Sequence, residues 1–177
     1  MSKLSIQPIS PLDGRYRAAV SDLGFHLSEA GLNRARIAVE VEWLIQLSTR
    51  NLLETNAPIT DEQQAELRKL IINFSDTDVA TLAETEATTK HDVKAIEYFI
   101  RDKLDALGLS HLAELTHFAC TSEDINNLSY AITVRDAVKK PLHKDVAKPG
   151  KFRLADSAEA KSSAAAPAEA SAEKEGA

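Results

Sequence analysis

The 177-residue chain has one cysteine, Cys120, one methionine, Met1, and one tryptophan, Trp43. A lone cysteine excludes an internal disulfide. Cys120 is read as a small buried residue, with His117 the only base close enough in sequence to activate it. No apolar run is long enough to cross a bilayer. The opening MSKLSIQPIS has no apolar core behind a basic end, so no secretory leader is expected, and the cytoplasm is the expected location. The histidines (His26, His91, His111, His117 and His143) show neither an HExxH nor a Cys/His metal spacing, so no metal site is expected. There is no glycine-rich phosphate loop, no GxSxG elbow and no repeat of solenoid length.

The net charge of −6 divides unevenly. Residues 1–138 carry 13 Lys+Arg against 21 Asp+Glu. Residues 139–153 carry six bases against Asp145. Residues 154–177 carry Lys161 and Lys174 against five acids. The acidic body argues against nucleic acid as a partner. The basic run reads as a solvated linker. The last segment, 154–177, has no large apolar residue after Leu154 and is expected to be disordered, because alanine buries too little surface to offset chain entropy.

The first thirty residues show a turn, SPLDGRY at 10–16, and no strict alternation. Beyond them the spacing predicts an all-α body. A helix capped by Asn33 carries Ile37, Val41 and Leu44, widened by Trp43 and Leu47, and fades near Asn56–Pro58. A second begins with a Thr60/Gln63 capping box and carries Leu67, Leu70, Ile71 and Phe74. Val79, Leu82 and Ala83 suggest a short third. A fourth spans about Asp92 to Leu107, with Val93, Ile96, Ile100, Leu104 and Leu107 inward and Gly108 past its end. A last one is capped by Thr121 or Ser122, buries Ile125, Leu128 and Ile132, and stops or kinks at Pro141.

Three polar clusters exceed what capping requires. Arg15-Tyr16 follows the Asp13-Gly14 turn. An arginine fork there suits phosphate or carboxylate, or is a surface residue beside a packed tyrosine. TTKHDVKA, 88–95, sets Thr88, Thr89, Lys90, His91 and Asp92 at a helix start. The threonines and the aspartate are ordinary caps and the histidine is not. A helix N-terminus favours a neutral imidazole, suited to hydrogen bonding or proton transfer, or simply satisfied in the fold. THFACTSEDINNLSY, 116–130, puts His117, Thr121 and Ser122 at another helix mouth, where free N–H groups attract anions.

SPLDGRY, VEVEWL (39–44), TTKHDVKAIEYFI (88–100) and THFACTSEDINNLSYA (116–131) together resemble the N-terminal part of the adenylosuccinate lyase family, of the fumarase/aspartase superfamily. The likeness covers about residues 5 to 138 in order and spacing. It implies a small helical N-terminal domain over 1–138, followed by the linker and tail. It implies β-elimination of fumarate from adenylosuccinate and from a succinylated carboxamide ribotide, in purine and AMP biosynthesis, with no metal or organic cofactor. Arg15 and Tyr16 match the loop contacting the nucleotide phosphate. Lys90, His91 and Asp92 match the next binding segment, with His91 assisting the acid. Thr121 and Ser122 match the residues holding a succinyl carboxylate, with His117 close by. The family's general acid lies in a T-H-x-Q string and its base in S-S-x-M-P-x-K-x-N. Neither string occurs in these 177 residues. The expectation is an N-terminal portion, truncated or shifted in frame after about Ala137. It should be inactive alone and outside the family's homotetramer, with apolar surface exposed on the 123–140 helix. The alternative is a non-catalytic module that docks on a full-length lyase.

Overall fold

The computed structural model describes residues 9–50 and 58–139. These belong to one unit of the chain, bounded at Met1–Pro141. The predicted linker beyond Lys139 and the tail, like Pro141, lie outside the described residues. Every regular element among the described residues is helical: a 3₁₀ turn at Arg17–Val20, α1 (Ser21–Leu27), α2 (Glu29–Thr49), α3 (Asp61–Ile72), α4 (Asp76–Thr89), α5 (Asp92–Ala106), a 3₁₀ segment at Ser110–Leu115, and α6 (Ser122–Ala137). Among the described residues, no helix is long and apolar enough to cross a membrane.

Helix α2 is the axis of the fold and packs against α1, α3, α5, α6 and the 110–115 segment. Its inward stripe of Ile37, Val41, Leu44 and Ile45 meets Ile96, Phe99, Ile100 and Leu104 of α5, closed below by Leu67, Leu82, Leu109 and Leu112. Each fully buried Leu or Ile contributes about 1.5–3 kcal/mol. Helix α5 follows its predicted stripe, except that Leu107 caps the end and is 39% exposed. Its C-terminus closes as a Schellman motif: Leu109 N–H reaches Leu104 O at 2.8 Å and Gly108 N–H reaches Asp105 O at 3.0 Å. Gly108 takes φ 70°, the left-handed conformation this motif requires.

Several expectations are corrected. Helix α2 starts at Glu29, capped by Ser28, whose hydroxyl accepts from Gly31 N–H. Asn33 sits a turn inside, where its side chain holds Arg36 instead of capping. The earlier start is possible because Gly31 lets α1 approach: a Cβ there would stand 2.6 Å from His26 O. Helix α2 ends at Thr49, well short of Asn56. The chain returns beside that end, with Ile59 N–H on the buried Ser48 hydroxyl. Helix α1 and the 3₁₀ turn before it occupy 17–27, a stretch to which the sequence assigned no element. Helix α4 has 14 residues and is not short, and its Ser75/Asp78 capping box explains the start. Only Leu82 of its apolar set is buried, with Val79 half-buried and Ala83 exposed. Phe74 lies just past the end of α3.

Helix α6 departs most. Ile125 is buried and Ile132 half-buried, yet Leu128 is 56% exposed. The buried face of α6, which packs on both α1 and α2, is Ile125, Ser129, Thr133 and Ala137, spaced four apart. Three of the four are small, and the hydroxyls are satisfied along their own helix, Ser129 on Ile125 O and Thr133 on Tyr130 O. Leu128, Tyr130, Val134 and Val138 are left outward, so apolar surface is exposed on this helix as expected.

Candidate functional site

The second cluster is a junction between two helices. Thr88 and Thr89 close α4 and do not open the next helix, as the sequence suggested. Lys90 turns the chain with φ 56°, an uncommon left-handed conformation for a side chain with a Cβ. His91 is itself the N-cap of α5, contrary to its reading as a poor cap: Lys94 N–H donates to its Nδ1 at 3.1 Å. An sp² nitrogen with a lone pair can accept that bond, and only a ring bare at Nδ1 does so. Nε2 is then the nitrogen left for anything outside the fold. Asp92 is tied down. Its Oδ2 takes Arg36 at 2.6 Å, and its Oδ1 takes Val93 N–H at 2.8 Å. Partial burial pushes its carboxyl up, but the Val93 N–H and the Arg36 guanidinium outweigh that and hold it below the usual aspartate range.

The third cluster is a loop and a cap. Thr121 is the N-cap of α6 and Ser122 its first helical residue. Thr121 and Asp124 form a reciprocal capping box, with Thr121 N–H on Asp124 Oδ2 at 2.7 Å and Asp124 N–H on Thr121 Oγ1. The Thr121 hydroxyl also donates to Asp124 Oδ2 at 2.8 Å. The Thr121 N–H bond first, and the hydroxyl second, lower the Asp124 carboxyl from its ordinary value. Thr121 is thus committed to the cap. The Ser122 hydroxyl and the first N–H groups of α6 remain for an anion.

Upstream, His117 and Ala119 have φ 61° and 58°. With Lys90, these are the non-glycine residues of positive φ among the described residues, and all lie in the second and third clusters. Such strain, about 1–3 kcal/mol per residue, persists only where surrounding bonds over-determine it. Those bonds are present. His117 N–H donates to Glu40 Oε2 at 3.1 Å, and its ring Nδ1 lies 2.6 Å from Glu40 Oε1. Trp43 Nε1–H holds Phe118 O at 2.8 Å. Glu40 is fully buried, and burial pushes its carboxyl above the ordinary range against the opposing pull of His117. Nothing in the local pattern of VEVEWL marks Glu40, because its partner is 77 residues away.

Arg36 joins the second and third clusters. Buried on α2, it donates to Asp92 of α5 and, through Nε at 3.0 Å, to Asn126 Oδ1 of α6. The starts of α5 and α6 are therefore held on one side of α2. Arg15 and Tyr16 are not bonded into this junction. Their turn is closed locally by Asp13, which accepts from Ile9 and Ser10, and the Arg15 guanidinium lies 4.8 Å over the exposed Tyr16 ring. Tyr16 accordingly does not pack on the body. Cys120 is half-buried, its thiol pushed up by burial and then by Glu40 and Asp124, so it is no activated nucleophile. It borders an open groove of about 540 Å³ between α2 and α6, lined by Val39, Trp43, Ile125, Leu128 and Ile132. Among the described residues, no group of three or more His, Cys, Asp or Glu could hold a metal ion.

A family model described as lyase matches residues 14–166. The chain belongs to the lyase family. The fold class agrees with the fumarase/aspartase superfamily to which this family belongs. The match runs past Val138, beyond the 5–138 stretch that carries the recognisable motifs. Among curated relatives, the adenylosuccinate lyase of Haemophilus influenzae is 43% identical over 145 residues, 80% of this chain and 32% of the relative. That of Escherichia coli K12 is 41% identical over the same shares. That of Dictyostelium discoideum is 37% identical over 141 residues, 78% of this chain and 30% of the relative. This lyase-family chain spans about a third of the length of the curated relatives it matches.

Proposed function

We propose that this chain supplies the substrate-gripping part of an adenylosuccinate-lyase site in the cytoplasm, serving purine nucleotide synthesis. The observation that carries the reading is the Arg36 junction, which holds two anion-attracting helix mouths on one side of α2. Ser122, the first N–H groups of α6 and the nearby His117 hold a succinyl carboxylate, and Thr121 shapes that mouth. Lys90 and the Nε2 side of His91 meet the substrate from the α5 start, with His91 assisting the acid and Asp92 fixing the segment. Arg15 and Tyr16 reach the nucleotide phosphate. The elimination itself needs a general acid and a base of the T-H-x-Q and S-S-x-M-P-x-K-x-N kind, and the chain alone turns nothing over. Calorimetry should show saturable binding of adenylosuccinate to the 177-residue protein, and a fumarate-release assay should show no product. Absence of binding would overturn the site, and fumarate release by this chain would overturn its inactivity.

A second reading rests on the outward Leu128, Tyr130, Val134 and Val138 of α6. In it, this apolar face docks the chain on a full-length lyase as a non-catalytic module. Co-elution of the two on size exclusion is expected under this reading, and independent migration of the mixed proteins would exclude it.

A further inference from the structure

The pair Glu40 and His117 is more than the loop needs. One backbone hydrogen bond, from His117 N–H to Glu40 Oε2, already anchors the turn. The second oxygen is spent on the ring, at 2.6 Å from Nδ1. A glutamine would anchor the loop without placing a carboxylate in a fully buried position, where desolvation opposes the charge. What glutamine lacks is a second acceptor. With its one oxygen on the backbone N–H, its amide would face the ring as a donor and require Nδ1 to be bare. A carboxylate accepts from both groups at once. The His117 side chain is 21% exposed and Glu40 is not exposed at all, so the ring bridges from the core to the surface of the site.

From this geometry we infer that Glu40 is a positioning residue: it keeps a proton on His117 Nδ1 and so makes Nε2 the ring nitrogen that faces a ligand. A carboxylate behind an imidazole fixes its tautomer and rotation. The contrast with His91 is direct. There Nδ1 accepts from Lys94 N–H, so a neutral ring carries its proton on Nε2. The two histidines thus offer opposite faces: His91 presents a donor, and His117 presents an acceptor or, when charged, a proton it can give up. Three charged or titratable groups surround the pair. Glu97 of α5 acts on Glu40, Asp124 of α6 is influenced by His117, and Cys120 is influenced by Glu40. That Nε2 meets a substrate group rests on the reading above, whereas the tautomer does not.

Long-range ¹H–¹⁵N spectra of the ¹⁵N-labelled 177-residue chain at pH 7.5 test this, with His117→Gln to assign the ring. Wild type should show Nδ1 protonated. Glu40→Gln should move His117 toward Nε2–H or into tautomer averaging, and should weaken adenylosuccinate binding at least fivefold. Glu40→Asp, which keeps both acceptors, should restore part of the Nδ1–H population. A wild-type ring bare at Nδ1 would overturn the inference, as would a Glu40→Gln ring spectrum identical to wild type. If Glu40→Gln unfolds, the wild-type spectrum alone decides. Should wild type carry Nδ1–H but bind no adenylosuccinate, the role of Glu40 stands and the substrate reading falls.

Discussion

Helices α3 and α6 begin alike. Each has a threonine N-cap in a capping box, Thr60 with Gln63 and Thr121 with Asp124. Each has two acids in its first turn, where the macrodipole favours them. The α3 mouth stops there, with its cap bonds made inside the box. The α6 mouth continues inward. Its loop is bent through two left-handed residues, gripped by a buried glutamate, and joined through Asn126 to a buried arginine that also holds the start of α5. A good cap is therefore no sign of a site. What separates the two mouths is polar material anchored to the core beyond what the helix end consumes.

The strongest way to break this contrast is to remove the arginine. Arg36→Met should destabilise the fold by about 2–3 kcal/mol, below the cost of breaking a fully buried pair because the Asp92 side chain is 46% exposed. Urea denaturation measures the loss, and amide exchange should quicken at the α6 mouth while the α3 mouth is unchanged. The same bond is visible in acid. Asp92 titrates lower in the fold than its ordinary value of about 3.9, so its contribution is complete above that value and disappears as pH falls through the lower folded value. Arg36→Met should weaken that acid dependence, leaving the part that comes from the Val93 N–H, and an unaltered profile would detach Asp92 from Arg36.

The caps come next. Thr60→Ala and Thr121→Ala should each cost about 1 kcal/mol. Only Thr121→Ala should also weaken adenylosuccinate binding, and equal binding by the two variants would reduce the α6 mouth to a plain cap. The smallest effect concerns strain. Ala119→Gly should stabilise by up to about 1 kcal/mol, because glycine accepts φ 58° without the Cβ penalty. A loss of thermal stability would show that the Ala119 methyl is needed at the edge of the α2–α6 groove.

What the sequence made legible follows the same division. The α5 stripe, the α3 capping box and the polar surplus at 88–92 and 116–122 are local patterns, and local patterns are where periodicity and cap chemistry speak. Leu128 misled because α6 buries Ser129 and Thr133 beside Ile125 and Ala137, a face that apolar spacing does not encode. Asn33 misled because Ser28 caps better once α1 tucks against Gly31. Glu40 and Arg36 stayed hidden because acids and bases on a helix read as solvent-facing. Their partners lie 77 residues from Glu40 and 56 and 90 residues from Arg36. The family itself was legible from the motif strings, since their order and spacing extend over most of the body.

Arg36 and Glu40 stand four residues apart on α2, so the rise of the helix sets about 6 Å between the anchors of the two clusters. That spacing is a matter of phase as well as length. One residue inserted between them would swing the second anchor about 100° around the axis and turn Glu40 off the side facing His117. The segment 36–40 should thus accept changes of side chain far more readily than changes of length, as a gauge tolerates repainting but not a missing division.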